Sequence, residues 1–439
     1  MAVSSARAED PGDEITVSTT SELVAAMSPA NAGRTIRIQP GVYCPKAPLT
    51  LPEGSEVIGA GIMEYEGSLP AGFRAGTTTE IVPADGRDAC LPEVGLFVGN
   101  AVFNLTDGSS LRGVKVSIDA ARHTFGGNTV VIRAIGGQVT RASMSECDIQ
   151  ARSGTVPYAP SIPGGRALSI MTGDNPPNHD PPGDPRIHVV VSRSIFRGNG
   201  PNGAVMVFTS HYESRAQTSV FFHANVFTGF LAALDLVGGI SRSFVVLSEE
   251  IRTPVTDTLT EVLAIGNLYR GRGIASVGAA GLTAAATAGN ADSTFNRLSF
   301  TSVGDRIENV GAGINGRAAL RRGATHGFLD DNLVELHLVG TELSTVESAA
   351  DMTMCAVGAP PNVRVDRVGD RNWIHLAATG LEGSGKRDNV FGHSVARCGQ
   401  VDDLGNDNGV SVKGSLRLWN VQNDDIDPDP APELFTHDR

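Results

Sequence analysis

Short stretches in which apolar and polar residues alternate recur along the chain and are separated by glycine-rich turns. In the first series an apolar residue returns at intervals of 31 to 47 residues, at Val116, Ile149, Phe196, Phe227, Tyr269, Ile307 and Leu343. The residues two places earlier are mostly polar and include Ser194, Asn225, Asn267, Asp305 and Thr341. A period of two predicts one short β-strand in every repeat.

A second series of strand-like stretches runs in phase with the first. It comprises residues 129–133, 167–171, 204–208, 233–237, 274–278 and, more weakly, 313–317. Each repeat therefore contains at least two strands, and because no helical pattern lies between them, βαβ units are excluded. The irregular repeat length disfavours propeller blades. The remaining fold class is all-β, a right-handed parallel β-helix in which each repeat forms one coil and equivalent apolar residues stack inside.

The polar positions of the first series have a structural interpretation. Small polar side chains at the bend of a coil can bind backbone groups that the turn leaves unpaired. We therefore expect Asn267 and its equivalents to stabilise turns, Tyr269 to belong to the interior stack, and Gly271 to be a turn glycine.

The N-terminal segment resembles a known family. Residues 20–43 indicate a short helix capped by Ser21, a turn, and a strand ending at Tyr43; "LTLPEGSEVIGAG" and the coil phrase "LRGVKV" follow. This order resembles the opening of pectate-lyase-like right-handed β-helix proteins, in which the helix covers the open end of the first coil. The resemblance spans residues 18–345 and implies the fold. It does not select an activity, because the superfamily includes lyases, hydrolases, fructotransferases, epimerases and non-enzymes.

The repeat predicts four regions along the chain. Residues 1–15 are expected to be a leader stub or a disordered terminus, and residues 16–345 the β-helix. Residues 346–422, where the repeat fades, are expected to form a C-terminal β-rich cap or subdomain. Residues 423–439 are acidic and proline-rich, which predicts a disordered tail.

Composition and charge narrow the function classes. With 52 glycines and 5% aromatic residues, the 439-residue chain suits an extended β architecture. A net charge of −13 argues against nucleic acid as a partner, and no apolar run is long enough to span a membrane. The five cysteines lack metal-site spacing. Pairing of Cys44 with Cys90 and of Cys355 with Cys398, with Cys147 as a buried thiol, would agree with a secreted or periplasmic protein.

Candidate chemistry lies in the loops that follow the second series of strands, since these loops should leave the coils along one edge. "SHYESR" brings together His211, Tyr212, Glu213 and Arg215. A uronate lyase needs a cation for the substrate carboxylate, a base for the C5 proton and a proton donor for the leaving oxygen, and Arg, His and Tyr are suitable residue types. A polysaccharide or oligosaccharide is thus the expected partner, and a glycan lyase the first hypothesis.

Asp235 is the acidic residue expected on the outer face of the second-series strands. Paired with Glu213, Glu249 or Glu250, it would supply the two carboxylates of a glycoside hydrolase or fructotransferase. Neighbouring outward positions are expected to carry Arg133, Ser169, Met206, Phe208, Ser276, Asn315 and Arg317. Of these, Arg133, Arg317 and Phe208, together with Arg215, Arg270 and Arg272, are candidates for substrate binding.

Three further expectations follow from the same face. The calcium-dependent lyases of the superfamily gather several carboxylates there, whereas Asp235 is isolated. No metal or cofactor is therefore predicted, and a calcium ion stays an alternative without support in the sequence. Exposed Met206 and Phe208 would suit side-by-side packing of copies into a homo-oligomer through a flat sheet face. A non-catalytic glycan-binding or surface β-helix protein is the third hypothesis.

Overall fold

The computed structural model describes most of the chain in many segments. These are residues 14–83, 101–118, 128–151, 166–173, 183–198, 204–210, 212–229, 232–239, 242–246, 249–271, 280–285, 292–318, 329–353, 364–367, 369–380, 382–383, 389–393, 400–403, 407–414 and 417–422.

Three parallel sheets wind around one core, so the predicted right-handed parallel β-helix is confirmed. Each coil contributes one strand to sheet I, then one to sheet II, then one to sheet III, and the next coil adds its strands alongside in register. The long strands Arg306–Arg317 and Glu342–Thr353 run through sheets II and III and join them. A helix (Thr20–Ala26) and a 3-10 turn (Pro29–Asn31) follow the first strand.

Sheet I contains twelve strands, and its side chains alternate between core and solvent most regularly. They are Glu14–Val17, Thr35–Ile38, Glu56–Gly59, Ser109–Arg112, Val139–Ser145, Arg186–Ser192, Gln217–His223, Leu259–Ile265, Arg297–Val303, Leu333–Val339, Trp373–Thr379 and Gly409–Gly414. The sequence indicated at least two strands per repeat, and this third strand was not singled out.

Sheets II and III correspond to the two predicted series. The strands of sheet II outside the shared pair are Gly41–Tyr43, Thr79–Ile81, Val114–Val116, Asp148–Gln150, Ile195–Arg197, Val226–Thr228, Leu268–Arg270 and Glu382–Gly383. Those of sheet III are Leu49–Thr50, Ala101–Leu105, Asn128–Ala134, Leu168–Thr172, Val205–Thr209, Ala232–Gly238, Ala280–Ala285, Asn389–His393 and Arg417–Gln422.

Four two-stranded pairs complete the described strands. They are Met63–Glu66 with Leu69–Phe73, Arg242–Val246 with Glu249–Thr253, Val255–Thr256 with Ser293–Thr294, and Arg364–Arg367 with Gln400–Asp403.

The predicted interior stack is confirmed. Its seven apolar residues, from Val116 to Leu343, are register partners in sheet II and are at most 4% exposed. The Phe227 ring stacks on Phe196 at 5.6 Å and on Tyr269 at 5.1 Å between centroids. Each ring therefore covers the next, so apolar burial continues from coil to coil.

Two rows of polar side chains support the turns. Turn ladder 1, between sheets I and II, is Ser194, Asn225, Asn267, Asp305 and Thr341, as predicted. Turn ladder 2, between sheets III and I, was not foreseen; it is Thr258, Asn296, Asn332, Asn372 and Asn408. In both, a side-chain oxygen accepts the backbone N–H of the equivalent residue one coil earlier, as Asn225 Oδ1 does from Ser194 at 3.0 Å. The ladders therefore pair turn amides that the sheets leave unbonded.

Several local predictions need correction. The helix is capped by Thr19 rather than Ser21, because Thr19 and Glu22 have the three-residue spacing of a capping box. Sheet III uses Ala280–Ala285 where residues 274–278 were predicted, and both stretches alternate small and apolar residues. Gly271 is required by close packing, since a Cβ there would lie 2.3 Å from the carbonyl oxygen of Asn309.

Strands beyond residue 345 extend the same sheets. Trp373–Thr379 pairs with Leu333–Val339 in sheet I, and Asn389–His393 continues sheet III. The division of the chain into a β-helix and a cap at residue 345 stays a prediction. So do both disulfide pairings, because Cys90, Cys355 and Cys398 lie outside the described residues. Cys147 is a buried free thiol, and burial raises its pKa to about 12.

Candidate functional site

The outer face of sheet III presents two parallel rows of residues. The Asp235 row consists of register partners Val131, Ser169, Met206, Asp235, Thr283 and Asn315. The Phe208 row, two residues further along each strand, consists of Arg133, Met171, Phe208, Val237, Ala285 and Arg317. The predicted neighbours of Asp235 are thus divided between two rows, and Ser276 lies outside the described residues.

Asp235 forms an ion pair with Arg166, a residue that the sequence analysis did not single out. The Arg166 Nη2 atom lies 2.7 Å from Asp235 Oδ2, and the two side chains are only 16% and 20% exposed. Arg166 precedes the strand Leu168–Thr172, two coils before Asp235, and its Nη1 contacts the sulfur of Met206 in the intervening coil. A guanidinium therefore lies over the sheet next to a carboxylate, largely screened from water.

The rest of this face is more buried than expected. Ser169 is fully buried, Phe208 is 2% exposed and Asn315 is 4% exposed, although all three lie at outward positions. Phe208 therefore does not offer an open surface for a sugar ring or a second copy, which corrects both expectations. The Ser169 hydroxyl has no hydrogen-bond partner among the described residues. Buried hydroxyls are normally paired, so the Ser169 hydroxyl can bind a polar group that reaches this face.

The "SHYESR" segment forms the turn from sheet III to sheet I. Glu213 is 2% exposed, and its Oε1 accepts the backbone N–H of Gly136 at 2.8 Å. Its own backbone N–H donates to the Ser210 hydroxyl at 2.8 Å. Tyr212 is half-buried, with its backbone N–H 3.3 Å from the carbonyl oxygen of Gly173. Glu213 thus connects the turns of two coils that are separated by one intervening coil, and His211 lies outside the described residues.

Asp235 and this turn lie towards opposite edges of sheet III. Asp235 is aligned with Met206, and four residues of extended chain, or about 13 Å, separate Met206 from Ser210. The structure therefore brings Asp235 together with Arg166 and not with the turn that contains Glu213. Glu249 and Glu250 belong to the strand Glu249–Thr253, of which the structure describes only the backbone.

The remaining candidate arginines are spread over several surfaces. Arg215 is 68% exposed and lies 3.0 Å from Asp184, measured from Nη2 to Oδ1. Arg270 pairs with Glu308 on the outer face of sheet II, away from Asp235. Arg317 donates from Nε to Asn315 Oδ1 at 3.1 Å, and Arg133 is exposed in the Phe208 row. Arg272 lies outside the described residues.

A metal ion has no evident ligand set here. Among the residues that the structure describes, no group of three or more His, Cys, Asp or Glu side chains is arranged to hold one. The expectations of no cofactor and no metal stay predictions. None of the helices in the described part of the chain is long and apolar enough to span a membrane.

The importance of Arg166 could not be read from the sequence. It is separated from Asp235 by 69 residues, and the two meet only because the coils are stacked in the observed register. The one available signal was its position directly before a second-series strand, at the edge where long connections enter sheet III.

Comparisons with known proteins find resemblance in three-dimensional structure alone, since no family model and no curated protein matches the sequence. The Dettilon tailspike protein (gp208) is 9% identical, with 89% of this chain and 68% of that one covered and a TM-score of 0.29. Tailspike protein 3 of bacteriophage CBA120 is 10% identical, with coverage of 91% and 58% and a TM-score of 0.30.

The A-module of the mannuronan C-5 epimerase AlgE4 from Azotobacter vinelandii is 12% identical, with coverage of 93% and 96% and a TM-score of 0.29. These scores are too low to carry an argument about activity. The neighbours are parallel β-helix proteins of the pectate-lyase-like fold, as the sequence motifs had indicated. On its own sheet topology, this chain is a right-handed parallel β-helix protein.

Proposed function

We propose that this protein is an exported carbohydrate-active protein that acts on a polysaccharide or oligosaccharide at the outer face of sheet III. The observation that carries the proposal is the Arg166–Asp235 pair, held at 2.7 Å with both side chains largely buried. Charged groups are rarely withdrawn from water on a sheet face unless a partner or a function compensates the loss of hydration.

The chemistry that this pair favours is elimination at a uronate. Arg166 would bind the substrate carboxylate, because the planar fork of a guanidinium matches the geometry of a carboxylate. Neutralising that carboxylate makes the C5 proton easier to remove. A base takes the proton, the electron pair forms the C4–C5 double bond, and the C4–oxygen bond breaks as the leaving oxygen receives a proton.

Asp235 is then a positioning residue, since it holds the guanidinium over the sheet. His211 and Tyr212 stay the proton-transfer candidates proposed from the sequence alone. Tyr212 belongs to a turn about 13 Å along the strands from the Asp235 row, which is too far to reach the C5 proton of a sugar whose carboxylate binds Arg166, so the base for that sugar has to lie beside the pair. The buried Ser169 hydroxyl, one strand from Met206 in the Asp235 row, is a further group that substrate could bind.

The hydrolase hypothesis has less support, because Glu213 is bonded to the backbone of Gly136 and lies about one strand length from Asp235. A glycan-binding protein without turnover is the other outcome that the experiment below distinguishes. Export is proposed because the distribution of the cysteines would allow two disulfides, and it depends on the two disulfide pairings that stay predictions.

The test is to incubate the protein with a panel of uronate-containing and neutral polysaccharides. Ultraviolet absorbance of the unsaturated uronide reports elimination, and reducing ends without that absorbance report hydrolysis. Arg166→Met should lower the elimination rate by about 100-fold or more, and Arg166→Lys by less. Asp235→Asn should raise KM and lower kcat together, because it disorders the guanidinium.

The matched control is Asp148→Asn, which breaks an Arg–Asp pair on sheet II, where Arg197 Nε lies 2.9 Å from Asp148 Oδ1. It should leave the rate within about twofold. If the panel yields only binding, or if the Asp148 and Asp235 variants lose activity equally, the proposal of catalysis at this face is wrong.

A further inference from the structure

Sheet I has an outer surface that none of the preceding chemistry uses. Two rows of register partners line it on either side of a shallow groove of about 680 Å³. The first row is Arg141, His188, Ser219, Glu261 and Ser299, and the second row is Ser143, Val190, Phe221, Leu263 and Thr301. The groove extends from Gly108 to Thr301, so its centre lies between the strands Arg186–Ser192 and Gln217–His223.

The second row is a contiguous apolar patch. Val190 is 47% exposed and Leu263 is 40% exposed, and the half-buried Phe221 lies between them on the intervening strand. Single exposed apolar residues are ordinary on protein surfaces, but three on successive strands form one continuous strip. A strip of this kind is stabilised when another surface covers it.

The first row carries opposite charges at equal distances from the centre of the groove. Arg141 lies one strand before the central pair of strands, and Glu261 lies one strand after it. Arg141 is 66% exposed, with a long 3.6 Å contact to Asp107. Glu261 is exposed and has no ion-pair partner among the described residues. A surface with this arrangement is complementary to itself after a half-turn.

We propose that sheet I is the interface of a two-fold symmetric homodimer. The axis runs parallel to the strands, between Arg186–Ser192 and Gln217–His223, so the two solenoids lie antiparallel. Arg141 of one copy then faces Glu261 of the second copy, and the reverse pair forms on the other side of the axis. Val190 faces Phe221 of the second copy in the same way, and Leu263 faces Ser143.

The size of the surface fits a weak dimer. Six strands spaced 4.8 Å apart, five of them seven residues long and Ser109–Arg112 shorter, cover at most about 24 by 23 Å, which corresponds to at most about 1,100 Å² buried over both copies. This lies at the lower limit of specific interfaces, so association should depend on concentration. The two grooves face each other and would enclose water, which such interfaces commonly contain. The balanced charge of the face fits a second copy better than a polyanionic glycan.

The test uses the full chain and a charge swap, followed by sedimentation equilibrium over about 1 to 200 µM protein. Arg141→Glu places two acidic residues opposite each other, and Glu261→Arg places two arginines opposite each other, at both symmetric contacts. Each single variant should raise the dimer dissociation constant by at least about tenfold. The double variant Arg141→Glu/Glu261→Arg should return it to within about threefold of the unmodified protein.

The control is Arg74→Glu, a charge reversal of an arginine that is 59% exposed and lies outside sheet I. It should leave the dissociation constant unchanged. A chain that is monomeric throughout the range, a double variant that stays dissociated, or an equal effect of Arg74→Glu would each overturn the proposal. Asp235→Asn on sheet III should not alter association, so failure here is distinguishable from failure of the proposed function.

Discussion

Turn ladders 1 and 2 solve the same problem with different chemistry. In ladder 2 the amide of Asn332 accepts the backbone N–H of Asn296 at 3.1 Å, and asparagine repeats down to Asn408. Ladder 1 begins the same way, with Asn225 bonded to Asn267, but its next member is Asp305. The backbone pairing is preserved, while a buried amide is replaced by a buried carboxyl group.

Replacing one amide nitrogen by a carboxyl oxygen places an ionisable group inside the β-helix. Asp305 is fully buried, and burial raises its pKa from 3.8 to about 6, against hydrogen bonds from Asn267, Ser302 and Tyr269 that lower it. An asparagine at this position would present one oxygen and one nitrogen and would carry no charge at any pH. Ladder 1 is therefore sensitive to pH at one coil, and ladder 2 is not.

The largest effect should come from breaking ladder 2 with Asn332→Ala. The Asn332 Oδ1 atom accepts from the backbone N–H and from Nδ2 of Asn296, and its Nδ2 donates to the backbone oxygen of Ser293 at 2.9 Å. Alanine leaves these buried groups unpaired, so we expect the free energy of unfolding to fall by about 4 kcal/mol. The midpoint of urea unfolding measures it.

Asn104→Ala is the matched control, because the Asn104 amide makes one exposed contact of 3.3 Å with the Thr50 hydroxyl. We expect a loss below about 0.5 kcal/mol there. Equal losses at the two positions would mean that ladder 2 does not stabilise the turns.

The second effect is a gain. Asp305→Asn should raise the free energy of unfolding at pH 7 by about 3 kcal/mol. The pKa of Asp305 is shifted by about two units, and each unit corresponds to about 1.4 kcal/mol. Ser302 and Tyr269 now donate to Oδ2, and each hydroxyl can rotate to accept from the new amide. Unfolding at pH 7 is the measurement.

The sign of the pH dependence sharpens this prediction. Because the folded pKa lies above the unfolded value, the contribution of Asp305 is fully present below about pH 4 and is lost as the pH rises through 6. The gain of Asp305→Asn should therefore disappear on acidification to pH 4. A gain of equal size at both pH values would assign the effect to packing and not to the carboxyl group.

Features whose sequence signal lies within a few residues could be predicted, whereas contacts between residues far apart in the sequence could not. The interior stack followed from alternation within a few residues, and turn ladder 1 from its fixed offset to that stack. Sheet I could have been predicted as well, because its strands end four residues before the first-series residue, as His223 does before Phe227, and "LTEVLAI" alternates as clearly. Arg166 was missed because its contact with Asp235 depends on the register of coils, which no local pattern encodes.

The smallest effect should come from Tyr269→Phe, which tests whether the phenol or the ring matters to ladder 1. The Tyr269 hydroxyl lies 3.4 Å from Asp305 Oδ2, and burial raises its pKa well above 10.0, so it acts as a neutral donor. Phenylalanine keeps the stack on Phe227 and removes one long hydrogen bond, so we expect a loss of about 1 kcal/mol at pH 7. Removing a donor to the carboxylate should also move the pH at which Asp305 titrates upward, and unfolding measured from pH 4 to 7 reports both changes. If the free energy of unfolding of the variant instead falls as much as in Asn332→Ala, a disturbed ring stack and not the lost hydroxyl would be the cause. In the double variant with Asp305→Asn, the shift in titration pH should vanish because no carboxyl group is left to titrate.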